Sequence, residues 1–164
     1  SGERTPPVVI RAMPNTPAAI GHGITGYYAP ASATPEQIRL CEALLRATGD
    51  VVRVDTEEQI DSVTAVSGSG PAYVFLLAEL MEKAGIAQGL PPAIARQLAR
   101  KTISGAGALL DASPEDAAEL RRRVTSPSGT TERAVAVLSA PDAWPENVPD
   151  AIRAAALRAA ELAV

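Results

Sequence analysis

The stretch at 125–132, Thr-Ser-Pro-Ser-Gly-Thr-Thr-Glu, carries the residue types that build an anion site from backbone and hydroxyls. Ser126 and Pro127 read as a turn. Gly129 suits a positive φ or a close backbone approach, and Thr130 suits the N-cap of a helix running from Thr131 to about Leu138. Such a helix start presents free N–H groups and partial positive charge, which favour a carboxylate or a phosphate. The hydroxyls of Ser126, Ser128, Thr130 and Thr131 add donors. An ordinary capped helix with no ligand fits the same pattern. Just upstream, Arg121, Arg122 and Arg123 share a helix with Glu115, Asp116 and Glu119, and read either as a solvated face or as a cationic approach to that anion site.

Other chemistries find less support. His22 is the single histidine and no GxSxG elbow accompanies it, so a Ser-His-Asp hydrolase is a poor fit. Cys41, the single cysteine, shares an apolar stripe with Ile38, Leu44 and Leu45 and reads as a small buried hydrophobe, which leaves no intrachain disulfide and no cysteine metal cluster. A net charge of −4 and a pI near 5.0 argue against nucleic acid. No uncharged run reaches membrane-spanning length without Gly, Pro or Ser breaks and no signal peptide opens the chain, so a soluble, cytoplasmic protein with no membrane partner is expected. Ser67-Gly68-Ser69-Gly70-Pro71 is glycine-rich but is followed by no phosphate-loop lysine, and close helix packing is the preferred reading.

The elements that must position these residues begin as α/β and turn helical. Val8 to Met13 reads as a buried strand ending at Pro14, a second strand runs around Ile24 to Tyr28, and Val51 to Val54 reads as a third. Between the last two, Thr34-Pro35-Glu36 is a strong helix start. After Asp55 the pattern is helical. A segment through Val66 is expected to break or kink sharply at 67–71, before a helix with Tyr73, Leu76, Leu77, Leu80, Met81 and Ala84 on one stripe. The helix from about Pro92 to Leu110 is apolar on nearly every side, and Ser104, Gly105 and Gly107 permit another helix to come close. At 164 residues the chain has few helices with which to surround it, so a second copy is expected to do so, as a helical homodimer. Ser113-Pro114-Glu115-Asp116 reads as the cap of the arginine helix, and the last helix is placed at Asp150 to Ala163.

Four strings, RAMPNTP (11–17), VTAVSGSGPAYVF (63–75), Gly89-Leu90-Pro91 and VTSPSGTT (124–131), resemble in order and spacing those of the pyrroline-5-carboxylate reductases. The resemblance covers essentially this whole chain but only the latter part of the family's length, and the amino-terminal dinucleotide-binding region has no counterpart here. The chain, which begins with Ser1-Gly2, is therefore expected to be the carboxy-terminal part. The fold implied is mainly α: a helical dimerisation domain at 56–164, of the 6-phosphogluconate dehydrogenase C-terminal-like kind, preceded at 1–55 by a small α/β remnant of a Rossmann-type sheet.

The resemblance implies hydride transfer from NADPH or NADH to the C=N carbon of 1-pyrroline-5-carboxylate, giving proline. Carried onto this sequence, it puts the substrate carboxylate on the backbone around Ser128, Gly129 and Thr130, with Ser126 beside them, and the Thr131 hydroxyl on the ring nitrogen. Glu57 matches the family's acid near the substrate, or is simply a helix-start charge. Met13, Pro14 and Asn15 fall where the strand end approaches the nicotinamide, and Arg123 where the chain approaches the cofactor. Ser128 stands where the family usually has Gly, and Thr130 where Gly or Ala is common; both add side chains to the carboxylate pocket. A homodimer whose sites join one subunit's nucleotide domain to the other's helices is implied, with little activity in the isolated part. The rivals are a non-catalytic helical dimer, and a reductase of another imine or of a hydroxy acid, although such enzymes commonly use a helix lysine and Lys83 and Lys101 are the only two.

Overall fold

The computed structural model describes residues 7–163, which form two compact units. The first holds the residues up to Pro71 together with those from Ala151 onward, and the second is Ala72–Asp150.

The first unit is organised by three strands, β1 (Arg11–Met13), β2 (Gly23–Tyr28) and β3 (Gly49–Arg53), side by side in that order. β1 runs antiparallel to β2, with Arg11 opposite Tyr28 and Met13 opposite Gly26. β3 runs parallel to β2, with Gly23 opposite Gly49. A parallel pair needs a crossover, and α1 (Pro35–Leu45) supplies it. Thr34 accepts from the Gln37 N–H at 3.2 Å and its own N–H donates to Gln37 Oε1 at 2.9 Å, a complete capping box. The sequence places a buried strand at Val8 to Met13, but only the last three residues pair. β1 has β2 as its one strand neighbour and is partly exposed.

Burial is concentrated in β2. Tyr27 is 0% exposed, and its hydroxyl donates to Glu42 Oε1 on α1 at 2.5 Å. Glu42 also takes Arg46 at 3.1 Å. α2 (Gln59–Val63) lies against β1 and β2, with Ile60 1% exposed. A Cβ on Gly26 would come within 2.6 Å of Val63 Cγ1, so glycine in the middle strand is what lets α2 approach. Gly49, at φ 142°, sits where a Cβ would overlap the Gly23 carbonyl. Residues 56–71 thus pack with the sheet.

Around 67–71, where a break or sharp kink is expected, the regular α-helix is interrupted by a π turn and a bend at Ser69. The chain stays helical through a π turn at Thr64–Gly68, in which the Ser69 N–H reaches the Thr64 carbonyl at 2.8 Å, and α3 (Gly70–Ala87) follows. A π turn takes one more residue per turn and so accommodates a proline, here Pro71, without unwinding the helix. Residues Gln59–Ala87 are by length and composition alone apolar enough to cross a bilayer.

In the second unit α3 closes at Gly89, φ 93°, and α4 (Pro92–Ala112) begins. A Cβ on Gly85 would lie 3.3 Å from Ala95 Cβ, so the end of α3 and the start of α4 sit close. Ala95 and Ala99 are buried, whereas Leu98 and Leu109 are 51% and 55% exposed. Gly105, on the stripe between those leucines, has nothing within 4 Å of a built Cβ. α5 (Ala117–Arg123) and α6 (Thr130–Leu138) follow. Of the expected cap stretch 113–116, Asp116 stands at the cap position of α5, and the Ser113 hydroxyl accepts from the Glu115 N–H. α7 (Trp144–Leu162) starts earlier than expected, because Pro145 occupies the first turn, where a missing N–H costs nothing.

Burial, with the hydrogen bond to Glu42 added, pushes the Tyr27 phenol up to about 12. The unfolded chain's tyrosine loses its proton near pH 10, so between about 10 and 12 the folded state holds more protons and stability falls as pH rises. Denaturant unfolding across that window is expected to show a shallower loss for Tyr27→Phe than for the parent; equal slopes would refute it.

Candidate functional site

The hydroxyl-rich turn is built almost wholly from backbone. The Thr125 hydroxyl donates to the Arg121 carbonyl at 2.7 Å and closes α5. The Gly129 N–H donates to the Ser126 carbonyl at 3.0 Å, forming the turn around Pro127. Gly129 is then the N-cap of α6, extended at φ −81° and ψ 171°, with no side-chain cap. Thr130 is therefore not the cap; it is already the first helical residue, one earlier than the sequence suggests, because the extended Gly129 makes the entry itself.

Of the two expectations for this glycine, a positive φ or a close backbone approach, the second is met. A Cβ on Gly129 would run into the Ser126 hydroxyl oxygen, so the need there is close approach. The left-handed residue is its neighbour Ser128, at φ 59°. The Ser128 N–H donates to Glu132 Oε2 at 2.8 Å, so Glu132 reaches back across the first turn of its own helix. The Ser128 and Gly129 N–H groups are thus engaged within the chain. Those of Thr130 and Thr131 occupy first-turn positions, which have no intrahelical acceptor, and are the donors left for an anion. Thr131 is half-buried, and Ser126 and Thr130 are exposed.

The arginine run is mostly spoken for. Arg122 grips Glu119 through two bonds, at 2.9 and 2.6 Å, and Arg123 binds both Glu115 and Glu119. Arg123 is thus held on the acidic side of α5, and Arg121 is the member of the run without an ion pair among the described residues.

The other sequence-derived site residues lie in the first unit, while Arg123 and Ser126 to Thr131 lie in the second. Asn15 Oδ1 accepts from the Ile24 N–H at 3.0 Å and its Nδ2 donates to Ser67 Oγ at 3.3 Å. Its amide therefore pins the end of β1 to β2 and to the π turn. Met13 packs there too, its sulfur 3.5 Å from where a Gly68 Cβ would be. Ser67 also lines a groove of about 490 Å³ with Val52, Ser62 and Val66. Glu57 forms an ion pair with Arg11 at 3.2 Å, and the two border a cavity of about 400 Å³ with Val9 and Tyr28. Sequence reasoning missed Arg11, Ser67 and Glu132. A charged residue opening an otherwise apolar strand, and a glutamate at the third helical position, were the available signals.

Comparison with known proteins gives four consistent results. The family description of pyrroline-5-carboxylate reductase dimerisation matches residues 57–162. A pyrroline-5-carboxylate reductase of Pseudomonas aeruginosa is 47% identical over 158 residues, which are 96% of this chain and 58% of that protein. The structure of a pyrroline-5-carboxylate reductase from Coxiella burnetii superposes with a TM-score of 0.89 at 40% identity, over 94% of this chain and 57% of that one. The crystal structure of the Plasmodium falciparum reductase with NADP bound gives 0.81 at 27% identity, over 93% and 57%. The chain thus spans under three fifths of each relative's length.

A serine in the left-handed region carries a Cβ penalty that glycine does not, partly offset by the greater freedom of an unfolded glycine. Ser128→Gly is expected to raise stability by about 0.5–1 kcal/mol in urea unfolding. Gly129→Ala, which forces a Cβ onto Ser126, is expected to lower it by about 2 kcal/mol or more; the opposite order of the two variants would overturn the assignment.

Proposed function

Since the chain belongs to the pyrroline-5-carboxylate reductase family, we propose that it is the substrate-binding and dimer-forming part of an enzyme that reduces the C=N bond of 1-pyrroline-5-carboxylate to give proline. The observation that carries this reading is the start of α6, where unengaged first-turn N–H groups and the half-buried Thr131 lie together. A small imino acid offers the complementary pair, a carboxylate for the N–H groups of Thr130 and Thr131 and a ring nitrogen for the Thr131 hydroxyl. A helix start supplies partial charge, which suits one carboxylate.

Reduction places a hydride on carbon and requires a proton on nitrogen. A threonine is too weak an acid to deliver that proton unaided, so the Thr131 hydroxyl holds the imine while the proton comes from water or an already protonated iminium. A nicotinamide cofactor, NADPH or NADH, supplies the hydride when bound. The end of β1 fits the neutral nicotinamide ring better than a phosphate: Asn15 uses both ends of its amide within the protein, so Met13 and Pro14 present apolar groups and backbone. Arg123 reaches a cofactor phosphate only by leaving Glu115 and Glu119. Glu57, paired with Arg11 at 3.2 Å, is the residue to which this reading gives the role of the family's acid. Because this chain covers less than two thirds of its relatives, the reading makes it part of an active site, with little turnover alone.

The partner for the open helices is a second copy. Phe75 on α3, 66% exposed, and Leu98 and Leu109 on α4 form surfaces that water disfavours and that a symmetric partner would cover. The same pairing accounts for the apolarity of residues Gln59–Ala87 without a bilayer. A cytoplasmic location accords with Cys41, a free thiol and the single cysteine.

In the full-length enzyme, Thr131→Ala is expected to lower kcat/KM for 1-pyrroline-5-carboxylate about a hundredfold, the cost of one positioned donor. Unchanged turnover would favour a non-catalytic dimer, and a preference for another imine or a hydroxy acid would favour a related reductase. Leu98→Glu is expected to raise the dimer dissociation constant at least about a hundredfold in sedimentation velocity; a dimer of undiminished affinity would move the interface elsewhere.

A further inference from the structure

The start of α6 already holds a carboxylate of its own. Ser128, at φ 59°, gives its N–H to Glu132 Oε2 at 2.8 Å, and Glu132 is otherwise exposed. In the free chain this contact gives the exposed Ser128 N–H an acceptor within the protein. An incoming imino-acid carboxylate brings the same charge and the same acceptor chemistry to the same turn. We infer that Glu132 is an internal stand-in for the substrate's carboxylate, displaced from the Ser128 N–H on binding, and so a determinant of substrate affinity. The inference rests on the proposed reading of this site as the carboxylate cradle, and adds the Ser128 N–H to the free donors of Thr130 and Thr131 once Glu132 has left it.

The exchange trades one charge-assisted hydrogen bond for another, so that contact adds little net affinity. Glu132 is also tethered by the helix. Once displaced, its carboxylate stays within the same turn and opposes the new one. It can turn to solvent, because no ion pair among the described residues holds it. Glu132 therefore raises KM without touching the reacting carbon or nitrogen, and kcat is left to Thr131. An esterified substrate, with no charge to exchange, is outside its control.

In the full-length protein carrying this chain, Glu132→Gln keeps the shape and removes the charge. It is expected to lower KM for 1-pyrroline-5-carboxylate about fivefold, the upper range of an exposed charge effect, with kcat within about twofold. KM for the methyl ester of the same imine is expected to stay unchanged. A KM for the acid that is unchanged or raised overturns the inference. If Glu132 merely holds Ser128 in its left-handed conformation, the Ser128→Gly, Glu132→Gln double variant will match wild type in KM, which also overturns it. A second measurement stands apart from turnover: with nitrogen-15 serine labelling and acetate as the probe, the Ser128 amide is expected to shift at lower acetate concentration in Glu132→Gln than in the parent. Equal titration curves reject the stand-in whether or not the enzyme reduces imines.

Discussion

An apolar helix face has to be covered, and the described residues of this chain leave much of theirs open. Phe75, Leu98 and Leu109 are each at least half exposed, and the side chains that are fully buried gather around β2, Ile60 and the small residues of α4. Burial on that scale cannot offset the conformational entropy of so many ordered helical residues. The family description that matches residues 57–162 is one of dimerisation, and a second copy is the cover proposed for these faces. The open position at Gly105 fits that requirement, because a missing side chain is useful only where another surface approaches.

Within the first unit the same economy is met locally. A three-stranded sheet is a thin scaffold, and its cohesion comes from a few close contacts: Tyr27 bonded to Glu42 across to α1, Val63 seated against Gly26, and Asn15 joining β1, β2 and the π turn. Each uses the absence of a side chain or the full valence of a polar one. The π turn belongs to this set, since it lets the helix pass the Ser-Gly-Ser-Gly-Pro run while keeping Gly68 against Met13.

The second unit handles charge in a comparable way. Two of its three consecutive arginines are neutralised by Glu115 and Glu119, one turn or more earlier in the chain. What remains around the start of α6 is weakly positive backbone and hydroxyls, together with one glutamate that answers the helix dipole. The carboxylate site proposed there relies on shape and on single hydrogen bonds more than on net charge. That suits a small substrate carrying a single carboxylate.

Much of this was legible in the residues. Periodicity located the helices, the Thr34-Pro35 start was correct to the residue, and TSPSGTT marked both the helix start and the family, because capping and turn chemistry are local and depend on a few adjacent side chains. The sequence by itself thus determined the helical class, the presence of the small sheet, the family and the position of the anion-friendly turn. Tertiary structure decided what no local window contains. The left-handed residue is Ser128 and not Gly129, because Ser126 folds beneath Gly129 and fills the space a Cβ would need. Arg123 is committed to two glutamates and Asn15 to two distant backbone and hydroxyl partners, because polar side chains take whichever partners the packed chain brings within reach. And the Ser128 N–H belongs to Glu132, because only after the helix has formed do residues four apart face one another across a turn.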